Sequence, residues 1–164
     1  MTSVNDLLVK MIKEIDLFKD FSDDDILDLA NSFVLKYYPS GSLIIREGEK
    51  PNSIYILKNG ILEAKKSHGL SSIHLGDINP GEIFGEMSYI KGGNSMASVT
   101  SKEDSDVWQI SVEDFDRFIK SNPGLMDSIY ETMKKREEMN SSSSFNKVSN
   151  NKQDDDIDDI KINI

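Results

Sequence analysis

Over the first fifteen positions apolar residues recur at helical spacing. Val4, Leu7, Leu8, Met11, Ile12 and Ile15 share one side, and Asp6, Lys10, Lys13 and Glu14 occupy the other. Ser22 followed by Asp23, Asp24 and Asp25 predicts the start of a second helix, since a serine oxygen caps free amides and acids suit the positive end of the helix dipole. Ile26, Leu27, Leu29 and Ala30 give that helix its buried side. From Phe33 the period shortens to two. Residues 33–38, 43–45, 53–57, 61–65, 72–75 and 107–110 predict short strands rich in Ile, Val, Tyr and Phe. Turn residues stand between them: Pro39-Ser40-Gly41, Gly48, Asn59-Gly60, Gly69, Asp77 and Pro80-Gly81. Asn59-Gly60 gives the strongest hairpin signal, because a type I′ turn places both central residues at positive φ. Strands this short, spaced by roughly 8–12 residues, belong to a sandwich or barrel.

Helical periodicity returns at Ser111, a cap for Val112, Phe115, Phe118 and Ile119, and Pro123 opens a last helix with Leu125, Met126, Ile129, Tyr130 and Met133 as its apolar stripe. At Asn140 the composition turns to Asn, Ser, Asp and Lys with isolated Ile and Val, too little apolar surface to offset ordering entropy. The expected division is a folded domain over 1–139 and a disordered tail over 140–164. The tail's Ile157, Ile160, Ile162 and Ile164 suit strand addition to a partner.

The chain has 164 residues with a net charge of −10; the tail carries five acids and three lysines, a net −2, so the body holds −8. Such acidity argues against nucleic acid as a partner, because phosphate binding gathers Lys and Arg on one face. Without cysteine there is no disulfide framework, thiolate zinc site or thiol nucleophile. No run of 18 apolar residues and no signal-peptide core occur, which predicts a soluble, cytoplasmic protein without membrane contact.

One stretch departs from the strand rhythm. From Pro80-Gly81-Glu82-Ile83-Phe84 the chain continues Gly85-Glu86-Met87-Ser88, passes Lys91-Gly92-Gly93-Asn94-Ser95-Met96, and re-enters a strand at Ala97-Ser98-Val99. A glycine lets a ligand approach backbone, and a carboxylate such as Glu86 accepts hydrogen bonds from hydroxyls. This region resembles the phosphate-binding cassette of the cyclic nucleotide-binding domain family, whose pattern is Phe-Gly-Glu-Leu/Met-Ala/Ser, about six residues, then Arg-x-Ala-Thr/Ser-Val. The likeness extends over 17–136 and includes Tyr38-Pro39-Ser40-Gly41, Ile44-Ile45-Arg46-Glu47-Gly48-Glu49 and Ser53-Ile54-Tyr55-Ile56-Leu57-Lys58-Asn59-Gly60.

The resemblance implies a mainly β fold, an eight-stranded antiparallel jelly-roll (double-stranded β-helix) barrel with N-terminal helices and C-terminal lid helices. It implies cAMP or cGMP as ligand. Phe84, Gly85, Glu86, Met87, Ser88, Ser95, Met96, Ala97 and Ser98 become the candidate pocket, with Glu86 on the ribose 2′-hydroxyl and the amides of Met87 and Ser88 near the cyclic phosphate. Tyr130 and Met133 become the candidate lid. The family arginine is missing: its place falls on Ser95. A guanidinium gives charge-assisted bidentate bonds that serine cannot reproduce, and their loss costs on the order of 2–4 kcal/mol, roughly 30- to 1,000-fold in affinity. Lys91 is the nearest alternative cation in sequence.

Other groups carry less. His68 and His74 are six apart with no third ligand at close spacing, so no metal site and no catalytic triad is expected. Trp108 suits the core, and the acidic run 154–159 lacks the glycine and terminal glutamate of a calcium loop. The expected function is a non-enzymatic, stand-alone sensor or regulatory domain without a cofactor, which signals to an unidentified protein effector through its last helix. The alternative is a degenerate fold, without ligand affinity, that serves as a protein-interaction module.

Overall fold

The computed structural model describes residues 4–148. Among them the order is α1 (Val4–Glu14), a 3-10 turn (Asp16–Phe18), α2 (Asp23–Asn31), β1 (Val34–Tyr38), β2 (Leu43–Ile45), β3 (Ser53–Asn59), β4 (Leu62–His68), β5 (Ser71–Ile78), β6 (Ile83–Phe84), α3 (Glu86–Lys91), β7 (Ser98–Ser101), β8 (Ser105–Ser111), α4 (Val112–Ser121) and α5 (Pro123–Val148). The predicted caps hold α2 and α4. Ser22 Oγ accepts from Asp25 N–H while Asp25 accepts from Ser22 N–H, a full capping box, and Ser111 Oγ accepts from Asp114 N–H.

The strands form two four-stranded antiparallel sheets, β1-β8-β3-β6 and β2-β7-β4-β5, the jelly roll that the strand rhythm and the resemblance implied. Successive strands mostly fall in opposite sheets. Strand β3 is the shared wall of two cores. Tyr55 and Leu57 face the barrel interior with Ile45, Leu62, Ala64, Ile78, Phe84, Val99 and Val107. Ile54 and Ile56 face the other way, with Trp108 and Ile110, and the helices cover them through Leu8, Ile12, Phe18, Phe115, Ile129 and Met133.

Asn59-Gly60 does not close a hairpin. Strands β3 and β4 lie in different sheets, and the pair turns the corner between them. A Cβ at Gly60, at φ +102°, would collide with Ser105 and sit 2.8 Å from the Asp104 carbonyl oxygen, so the glycine serves close approach as well as the turn. The tight hairpin is β4–β5: His68 faces Ser71 across Gly69-Leu70, with Gly69 at φ +61°. Helix α5 runs past Asn140 to Val148, so the helical backbone continues beyond the composition break. The remainder of the 140–164 tail, including its isoleucines and acidic run, lies outside the described residues. No helix of the described residues is long and apolar enough to cross a membrane.

Candidate functional site

The jelly roll brings 84–98 against the turn after β2. Phe84 is buried at the end of β6 and stacks on Tyr55, ring centroids 4.9 Å apart and 9° from parallel. Gly85 follows in the left-handed region at φ +80°, and a Cβ there would lie 3.0 Å from Tyr55 Cδ2 and 3.2 Å from Ser53 O. The backbone conformation thus favours glycine, and a Cβ would crowd Tyr55 and Ser53. The chain then enters α3, whose first residue, Glu86, is a carboxylate only 7% exposed. Met87 packs on the helix-side core and Ser88 is half-buried.

After α3 the segment returns through Gly92 and Gly93, both at positive φ, to a closed corner. Ser95 N–H donates to Glu49 O and Gly48 N–H donates to Ser95 O, each at 2.9 Å. Glu47 N–H donates to Ser98 Oγ at 2.9 Å, and the Glu47 carboxylate accepts from Ser67 N–H at 2.8 Å. Ala97 is buried and Met96 is 61% exposed. Lys91 is exposed at the end of α3, and Arg46, on the neighbouring turn, pairs with Glu49 at 3.3 Å. The structure therefore brings Gly85, Glu86, Ala97 and Ser98 to the protein side of the segment and turns Met96 outward.

The two lid candidates separate. Met133 is buried in the helix-side core, while Tyr130 is half exposed and its hydroxyl donates to Ile90 O, at the end of α3, at 3.4 Å. Two connections had no sequence signal. Tyr89 sits edge-on to Phe115 at 5.0 Å and donates to Asp116 Oδ1 at 3.0 Å, which ties α3 to α4. Burial first, then the Asp116 carboxylate, pushes the Tyr89 phenol up to about 12. Beside this contact lies a cavity of about 350 Å³, lined by Lys50, Pro51, Ser88, Tyr89, Val112 and Asp116 among others. Of the predicted pocket residues only Ser88 reaches it; it is a groove on the outer flank of α3. Trp108 is core, as its strand position implied.

A family model described as cyclic nucleotide-binding domain matches residues 35–122. The cyclic AMP receptor protein of Thermus thermophilus is 31% identical over 109 residues, which cover 65% of this chain and 50% of that protein. The regulatory domain of Toxoplasma gondii PKA with cAMP superposes with a TM-score of 0.67 at 20% identity, covering 80% of this chain and 50% of that one. The regulatory subunit of a cAMP-independent protein kinase A from Trypanosoma cruzi, bound to guanosine, gives 0.65 at 15% identity over 77% and 44%. This chain thus spans half the length of its Thermus relative.

Proposed function

The chain belongs to the cyclic nucleotide-binding domain family, and from that premise we propose that it is a non-catalytic regulatory domain whose 84–98 segment takes a nucleoside-type ligand, with its cyclic phosphates cAMP and cGMP bound more weakly than a guanidinium would allow. The observation that carries this reading is the corner at Ser95. Where the family places an arginine the chain has a short hydroxyl. The amides around it, those of Ser95, Gly48 and Glu47, already donate to protein acceptors. A phosphate there meets no guanidinium at position 95, and these three amides are already engaged. Gly85 and the buried Glu86 retain the hydroxyl-accepting half of the arrangement. The solved relatives include one with cAMP and one with guanosine, which supports a pocket of this kind serving either ligand class.

The signal leaves through α5. Tyr130 joins α5 to the end of α3, so a ligand that prefers one placement of α3 shifts the population of α5 placements. The folded unit that carries this signal includes α5 to its end at Val148.

Calorimetric titration with adenosine, guanosine, cAMP and cGMP tests the reading, repeated on Ser95→Arg. Nucleosides should bind wild type at least as tightly as their cyclic phosphates. Ser95→Arg should raise affinity for cAMP or cGMP by roughly 30-fold or more and leave the nucleosides unchanged. Silence from all four ligands at millimolar concentration overturns it in favour of a second reading, which Ser95 also favours: a degenerate fold that acts as a protein-interaction module.

A further inference from the structure

The outer face of the second sheet carries a cluster that strand pairing assembles from distant positions. Strands β4 and β5 pair Glu63 with Asp77 and Ala64 with Gly76, then slip so that Lys65 faces His74. Leu75 is the extra residue of this bulge. In a regular strand His74 and Asp77, three apart, would point to opposite faces; the extra residue places both on the face that holds Glu63 and Lys65. Ala64, between Glu63 and Lys65, points into the core.

One ligand atom from each of Glu63, His74 and Asp77 lies within 4.8 Å of the other two. The imidazole lies close to both carboxylates, Nδ1 3.5 Å from Glu63 Oε1 and Nε2 3.8 Å from Asp77 Oδ1. Two ammonium groups balance the acids: Lys65 Nζ lies 2.9 Å from Glu63 Oε1, and Lys102 Nζ lies 3.2 Å from Asp77 Oδ2 and 4.0 Å from Glu63 Oε2. Both lysines are nearly half exposed, whereas the Glu63 side chain is 15% exposed. The carboxylates are thus held toward the histidine by cations on flexible stems that can swing to water. The Lys102–Asp77 pair is exposed on both sides and contributes little stability, so giving it up costs little.

We propose that Glu63, His74 and Asp77 form a binding site for a divalent borderline cation of the zinc class, with Lys65 and Lys102 as resident counter-charges that the ion displaces. The donor set of one imidazole and two carboxylates suits such an ion and leaves a coordination position open to water. The site lies on the outer face of the β4–β5 pair and uses none of the 84–98 residues.

The test is calorimetric titration of the metal-free full chain with zinc chloride, on wild type, His74→Ala and Lys102→Ala. Wild type should bind one ion with a dissociation constant of about 100 µM or tighter, and His74→Ala should lose at least about tenfold. Lys102→Ala, which removes the competing ammonium, should bind about threefold tighter or better. No uptake by wild type at millimolar zinc overturns the proposal. So does uptake unchanged in His74→Ala, which assigns the ion to carboxylates elsewhere, such as the run 154–159.

Discussion

At the scale of single residues, Gly85 concentrates the constraints of the site. Its φ of +80° lies where a side chain costs about 1–2 kcal/mol, and a Cβ would press on Tyr55 Cδ2 at 3.0 Å and Ser53 O at 3.2 Å. Tyr55 cannot yield easily, because it stacks on Phe84 inside the barrel core. Gly85→Ala should therefore destabilise the fold by about 2–3 kcal/mol, a fall in Tm of roughly 5–10 °C, measurable by thermal unfolding followed by circular dichroism. A change within 1 °C would show that the αL geometry and the tight contact are not features of the folded protein. Ser95 differs in kind. Its backbone is fixed by Gly48 and Glu49 whatever the side chain, so Ser95→Arg tests ligand chemistry with little effect on the fold.

At the scale of elements, α3 is held by contacts that reach across helices, and Tyr89 makes two of them, to Phe115 and Asp116. Its hydroxyl donates to Asp116, which also pairs with Lys120 at 2.6 Å. Lys120 first and Tyr89 second hold the Asp116 carboxyl below its ordinary value of 3.8, so its contribution to stability is present above that value and is lost as pH falls through the lower folded one. Tyr89 carries the opposite sign. Its pKa is raised, so its contribution is complete below 10 and is lost as pH rises toward about 12. In an alkaline titration followed by tyrosinate absorbance, wild type minus Tyr89→Phe should show one phenol ionising near 12. A difference spectrum centred near 10 would mean that α3 and α4 are not joined at this point. Local elements were legible in the sequence where their signals are local. Ser22, Ser111 and Pro123 start helices because capping and a fixed φ act within one turn. Asn59-Gly60 misled because a glycine that turns a corner between sheets reads the same as one that closes a hairpin. The two-residue β6 is too short to show a period, and the Glu63–His74–Asp77 cluster depends on a bulge and a pairing register that only the assembled sheet defines. Of the candidate site, the Gly85-Glu86 and Ala97-Ser98 landmarks were readable as a motif, whereas the closed amides around Ser95 and the Tyr89–Asp116 contact depend on which loops meet.

At the scale of the whole molecule, the sheet containing β3 decides whether the barrel and the helices behave as one body. Ile56 and Leu57 are neighbours on β3, both fully buried, yet Ile56 packs under the helices and Leu57 inside the barrel. A strand cannot lose its packing on one face and keep its ladder on the other, since both faces share the same backbone hydrogen bonds. Ile56→Ala and Leu57→Ala should each cost about 2–5 kcal/mol. The single tryptophan, Trp108, sits in the helix-side core and gives that core its own fluorescence signal, while far-ultraviolet circular dichroism follows the whole chain. For both variants the two signals should shift together and trace one transition. If Leu57→Ala lowered the circular dichroism midpoint and left the Trp108 midpoint in place, the barrel would melt independently of the helices. The same wall gives the regulatory reading its mechanical basis: Phe84 belongs to the barrel core and Ile90, six residues on, to the helix-side core, so α3 cannot move without being felt in both.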